Sequence, residues 1–140
     1  MQSGVIKQSR DTIPLMTTCI CAGFPSPAQD YMETDINLHD YLIPHPLSTF
    51  LLKVVNDSME PLIPANALLI VDKALKAKHN DIIVGFLSGE FTLKRLFKKD
   101  KIVILKPENP KYRAITITEE TDFTIWGVVT QIIINPKKIK

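Results

Sequence analysis

Asp81-Ile82-Ile83-Val84-Gly85-Phe86-Leu87-Ser88-Gly89-Glu90-Phe91-Thr92-Leu93-Lys94-Arg95-Leu96-Phe97 is the stretch that decides the fold. Two apolar runs flank Ser88-Gly89, a pair that suits a two-residue hairpin turn, so the spacing predicts strands over 81–87 and 90–97. On the N-terminal side, Thr49–Val55 and Ala67–Asp72 are further apolar, β-branched runs. On the C-terminal side, Ile102–Lys106, Ala114–Thr118 and Thr124–Asn135 continue the series. Several short strands with turn signals between them make a mainly β domain. Within the last run, Ile125–Ile134 is almost continuously apolar, which suits a strand buried on both faces, with a partner subunit as one cover. One short helix is expected over Asn37–Ile43. Asn37 can cap it, Asp40 falls in its first turn, and Pro44 and Pro46 stop it.

At 140 residues the chain has the length of one domain. A hydrophobic content of 45% is enough for a core, and ten prolines against five glycines argue against long helices. The net charge of +2 is too small to carry a nucleic-acid claim. Cys19 and Cys21 form neither a disulfide framework nor a zinc ligand set, which fits a reducing cytoplasm. No metal or cofactor is expected. No run approaches the roughly 18 apolar residues of a membrane-spanning helix. A secretory signal with Lys7 and Arg10 ahead of Ile13–Ala22 is disfavoured, because Pro14, Thr17 and Thr18 interrupt the apolar run and Ile20 occupies a position that wants a small residue.

Residues 1–22 show no clear period and read as an arm that packs poorly by itself. Residues 23–34 read as an extended linker, since Pro25 and Pro27 bias Phe24 and Ser26 away from helix. Residues 35–140 make the β-rich domain.

Two residues stand out chemically. Ser58 follows Thr49–Val55 in Asn56-Asp57-Ser58-Met59, and Lys94 lies on the return strand of the hairpin. A serine hydroxyl needs a base to take its proton, and a neutral lysine can do this without histidine. With an ordinary pKa near 10.4, about one lysine in two thousand is neutral at pH 7. Burial penalises the ammonium and raises that fraction. Lys94 therefore needs a dry site without a carboxylate partner, and Thr92 and Leu96 share its strand face. The backbone amides of Ser58 and Asp57 are candidate donors to the oxyanion of acyl transfer. Ser58 as a turn residue and Lys94 as an exposed strand lysine are the bland alternatives. His39, His45 and His79 are scattered, and none is assigned a catalytic or metal role.

The ordered set of motifs resembles the UmuD proteins, relatives of the LexA-type self-cleaving repressors. Gly23-Phe24-Pro25-Ser26-Pro27-Ala28-x-Asp30-Tyr31 is similar to the segment that begins at that family's cleavage point. Asp57-Ser58-Met59 resembles its nucleophile motif, and Leu68–Asp72 and Gly89–Leu96 follow in the family's order, with Lys94 on the general-base position. Pro107-x-Asn109-x-x-Tyr112-x-x-Ile115 and Gly127-Val128-Val129 resemble its closing strands. Asn56, Asn66 and Asn80 stand where the family usually has glycine. Asparagine tolerates a left-handed backbone, so the turns are expected to survive, while Asn56 lies close enough to Ser58 to perturb the oxyanion site.

The resemblance implies a LexA/signal-peptidase-like β domain with one short helix and an extended N-terminal arm. It implies self-cleavage at the Ala22–Gly23 bond by a Ser58–Lys94 pair, stimulated by a RecA–single-stranded-DNA filament. It also implies that the trimmed homodimer serves a Y-family, UmuC-like translesion polymerase in SOS mutagenesis. Two other functions remain open at this point. One is a non-enzymatic homodimeric polymerase-binding subunit with a vestigial pair. The other is a fragment of a self-cleaving repressor, disfavoured because 22 residues are too few for a DNA-reading domain with its own core. Sequence-specific DNA binding is not expected, as no helix or ribbon suited to a groove is evident. A leader peptidase shares the chemistry but would need a membrane anchor.

Overall fold

Ser88 and Gly89 both take positive φ, 52° and 85°, as a tight hairpin turn requires. The hairpin they close is the centre of the larger sheet. The computed structural model describes residues 11–16 and 33–138, and the chain divides into two compact units, residues 1–44 and 45–140.

In the first unit, β1 (Ile13–Met16) pairs antiparallel with β2 (Glu33–Ile36), Ile13 facing Ile36 and Met16 facing Glu33. Neither strand was expected: β1 falls in the stretch read as an arm without period, and β2 begins inside the expected linker. Four residues each, and a proline in β1, leave too little alternation to be seen in sequence. The helix α1 (Leu38–Leu42) lies where expected, and the Asn37 side chain accepts from the Asp40 amide at 3.1 Å.

In the second unit seven strands form one antiparallel sheet in the order β3-β4-β9-β5-β6-β7-β8. They are β3 (Thr49–Lys53), β4 (Leu68–Asp72), β5 (Ile82–Leu87), β6 (Glu90–Lys99), β7 (Ile102–Lys106), β8 (Ile115–Ile117) and β9 (Phe123–Ile133). Each matches an apolar run read from the sequence to within a few residues. The long β9 sits between β4 and β5, antiparallel to both, and its register slips against Ile70/Val71 and against Val84/Gly85. At these bulges Thr130 and Trp126 are the extra residues, which bends and twists the sheet about its centre. Gly127 is needed in this strand, because a Cβ there would lie 2.6 Å from Val71 Cγ1.

Adjacent residues on a strand face opposite ways, and β5 uses this to divide the core. Val84 joins Val54, Met59, Ile63, Leu69, Val71 and Leu93 in one cluster, while Ile83 joins Leu96, Leu105 and Val128 in another. The expectation that β9 is buried on both faces is not met within the chain. Gly127 and Val128 are buried, but Ile125 and Ile133 keep 43% and 44% of their surface exposed. Within the single chain one face of the bulged strand stays partly open, the face for which the sequence suggested a partner subunit as cover.

Among the described residues, no helix is long and apolar enough to cross a membrane.

Candidate active site

The loop between β3 and β4 is closed at its neck by two backbone bonds, Val54 N to Ala67 O at 2.9 Å and Asn66 N to Val54 O at 2.7 Å. Asn66 completes that closure with φ of 76°, and Asn80 shows φ of 74° before β5. Both therefore fill glycine-like positions, as expected from asparagine's tolerance of this region. Inside the loop, Met59 and Ile63 are fully buried, each contributing roughly 2 kcal/mol of apolar burial. Ile63 N donates to Met59 O at 2.8 Å. Ser58 is thus held by its neighbour's anchorage in the core, and it is itself only 3% exposed.

Lys94 reaches this turn from the middle of β6. Its Nζ lies 3.3 Å from Ser58 Oγ, 2.9 Å from Thr92 Oγ1 and 3.2 Å from the Leu93 carbonyl. Thr92 is two residues back on the same strand face and orients the amine. Lys94 is 8% exposed, so it is not the solvated strand lysine of the bland alternative. Burial pushes its ammonium below the ordinary lysine pKa. Among the described residues no carboxylate pairs with it. The next residue, Arg95, takes the available acid: its Nε lies 2.9 Å from Glu108 Oε2, and its guanidinium also donates to the Asn80 carbonyl at 2.7 Å.

A second loop clamps the serine turn from the other side. Asn109 N donates to Ser58 O at 3.0 Å, and Asn109 Nδ2 donates to Asp57 O at 2.9 Å. The Asn109 side-chain oxygen accepts from Lys111 N at 3.0 Å. The Tyr112 hydroxyl donates to the Asp57 carboxylate, and this bond raises the phenol pKa. These two residues were visible in the sequence only as part of a family-like motif; the spacing alone gave no hint that they grip the Ser58 turn. Replacing Asn109 with alanine is expected to destabilise the fold by about 1 kcal/mol, since it takes the side-chain partner from the half-buried Asp57 carbonyl and from the Lys111 amide. It should also slow any Ser58 chemistry, and a thermal melt run beside a cleavage assay checks both.

Asn56 departs from the left-handed backbone expected of it but does reach the oxyanion donors. It is not among the residues with positive φ, so no backbone requirement explains it. Its side-chain oxygen instead accepts from both the amide and the hydroxyl of Ser58, each at 3.2 Å. Of the two candidate oxyanion donors, the Ser58 amide is therefore occupied in this state. An open groove of about 110 Å³ runs alongside, lined by Leu52, Val54, Asn56, Val84, Thr92 and Leu93 among others. It is apolar on one side and bordered by the neighbours of Ser58 and Lys94, a form suited to an extended peptide. The expected cleavage residues Ala22 and Gly23, with Cys19 and Cys21, lie outside the described residues.

One constellation went unread. Asp72, at the end of β4, is 2% exposed. It receives His45 Nδ1 at 2.6 Å on one oxygen, and Ser48 Oγ at 2.7 Å and the Ala74 amide at 2.8 Å on the other. Burial alone would raise its pKa, but these donors outweigh it and hold the carboxyl below the ordinary range. The Ser48 hydroxyl also donates to the His45 backbone carbonyl at 3.3 Å but not to its ring, so no nucleophile–base pair results. The set ties the start of β3 to the end of β4. The ring of His79 accepts from Lys98 N at 3.0 Å and does not join the Ser58 site. Among the described residues no cluster of metal-ligating side chains is present.

Residues 14–130 match the Peptidase S24-like family. The chain is 42% identical over 125 residues to protein SamA of Salmonella typhimurium, covering 89% of this chain and 86% of that one. It is 39% identical over 125 residues to protein MucA of Escherichia coli, covering 88% and 85%. It is 34% identical over 127 residues to the LexA repressor of Idiomarina loihiensis, with 89% of this chain and 61% of that protein covered. The matched span takes in most of β1, the Ser58 turn, Lys94 and most of β9, and with it the chain belongs to the Peptidase S24-like family, among the UmuD-like SOS mutagenesis proteins that its sequence resembles.

Proposed function

We propose that the chain is a self-cleaving serine peptidase of the SOS response that removes its own residues 1–22. Ser58 is the nucleophile and Lys94 the general base. The carrying observation is a buried lysine amine 3.3 Å from a buried serine hydroxyl, with no ion pair to that amine among the described residues. A neutral amine in that position takes the hydroxyl proton as Ser58 Oγ bonds to the Ala22 carbonyl carbon. The oxyanion is met by the Ser58 and Asp57 amides. As the Ala22–Gly23 bond breaks, Lys94 returns the proton to the departing Gly23 amine. Water then releases the Ala22 acid from the ester, so both halves of the reaction use the same two side chains.

The arm-docked state is minor until a partner favours it. The proposed partner is a RecA–single-stranded-DNA filament, acting on the conformation and supplying no catalytic group. The trimmed chain, residues 23–140, then persists as a homodimer in the cytoplasm and serves as accessory subunit of a Y-family translesion polymerase. Incubating the purified chain with such a filament at pH 7 tests the reading by intact-mass spectrometry. Loss of residues 1–22 only when the filament is present supports it. A chain that stays whole would favour a polymerase-binding subunit with a vestigial pair.

A further inference from the structure

Ser58 has two hydrogens to offer, and both end on the same atom. Its amide and its hydroxyl each lie 3.2 Å from Asn56 Oδ1. Lys94 Nζ approaches Ser58 Oγ from elsewhere and, as an ammonium, donates to it. The proposed reaction needs the opposite assignment of both hydrogens. The hydroxyl proton must point to a neutral Lys94 amine, and the amide must bond the oxygen of the scissile carbonyl. An amide oxygen such as that of Asn56 is chemically the same acceptor as a peptide carbonyl. It therefore occupies the place that the substrate's carbonyl oxygen has to take.

Two further facts point the same way. The Asn56 backbone is not in the left-handed region, so the conformational freedom of a glycine is not what the position requires; the residue acts through its side chain, whose bond to the Ser58 amide closes an Asx turn. Asn56 is also exposed and borders the open groove beside Ser58, so its side chain has room to swing out when a peptide enters.

We propose that Asn56 is an internal competitor for the two donors of Ser58, a positioning residue that holds the nucleophile in a resting state until the arm's carbonyl displaces it. The proposal rests on the Ser58–Lys94 reading above. Displacement breaks two hydrogen bonds to Asn56 and makes one from the Ser58 amide to the incoming carbonyl oxygen. The hydroxyl proton then has Lys94 as its acceptor, and the covalent steps follow as already written. Self-cleavage without a partner is slowed by the work of displacement, and stronger docking of the arm overcomes it.

The test is the first-order rate of self-cleavage of the full chain, without a filament, at about pH 10. Wild type, Asn56→Ala, Asn56→Gly and Asn56→Asp are compared by intact mass, each with a thermal melt. Loss of two competing bonds of ordinary strength predicts cleavage about tenfold faster in Asn56→Ala and Asn56→Gly. Asn56→Asp keeps the acceptor and adds a charge that favours the Lys94 ammonium, so it should be slower than wild type. A purely structural role would slow the first two variants as it lowered their melting temperature, and it cannot accelerate them. Slower cleavage in well-folded Asn56→Ala and Asn56→Gly would overturn the proposal and make Asn56 a donor to the oxyanion. Equal rates in all four proteins would overturn it as well. If wild type and every variant stay whole, the self-cleavage reading falls, and this inference falls with it.

Discussion

Lys94→Met is expected to abolish self-cleavage at every pH and, at the same time, to make the protein more stable. The first effect follows because methionine has no proton acceptor of comparable strength to offer Ser58. The second follows from burial. Lys94 is 8% exposed and its pKa is depressed by desolvation below the ordinary lysine value. Between the folded and the unfolded pKa the unfolded chain binds the extra proton, so stability rises with pH across that window. Below the window both states are protonated, and the folded state carries the full penalty of a buried ammonium. Methionine has similar length and no charge, so at pH 7 it should stabilise the fold by about 1–2 kcal/mol, or roughly 3–6 °C in Tm. A lower Tm in Lys94→Met would mean that the amine's bonds to Thr92 and the Leu93 carbonyl outweigh its desolvation. The wild type gives the companion result. Its cleavage rate should climb about tenfold per pH unit while Lys94 is mostly protonated, and level off at a pH below 10.5.

Ser58→Ala is the second large effect. Removing the attacking oxygen leaves the groove, the amides and Lys94 in place but nothing to form the acyl bond. Removal of a serine nucleophile typically costs on the order of 10⁶-fold, and self-cleavage should fall below detection. Stability should change by no more than about 1 kcal/mol. Lys94 retains Thr92 Oγ1 and the Leu93 carbonyl as acceptors, and the anchoring side chains Met59 and Ile63 are untouched.

Much of this was legible in the sequence because hydrophobic pattern and turn chemistry agree in the second unit. Ser88-Gly89 announced its hairpin, and Asn37 its helix. Ser58 and Lys94, far apart in the chain, are brought to 3.3 Å. What stayed hidden has physical reasons. The four-residue strands β1 and β2 are too short to show a period, and one contains a proline. The bulges of β9 break the alternation that would have revealed Ile125 and Ile133 as exposed. Asn109, Tyr112 and the Asp72 set act through contacts between distant loops, which no local pattern encodes. Asn56 stood out in sequence for its glycine-like position and its closeness to the oxyanion site, but that its side-chain oxygen takes both hydrogens of Ser58 is seen only in the geometry.

The central claim is that Ser58, made reactive by a dry Lys94, cuts the chain that carries it. Intact-mass spectrometry of wild type and Ser58→Ala, each incubated alone at about pH 10 where lysine deprotonation is substantial, tests it most directly. The account predicts that the wild type loses residues 1–22 and that Ser58→Ala keeps its full mass. Cleavage of Ser58→Ala at the wild-type rate and position would contradict it.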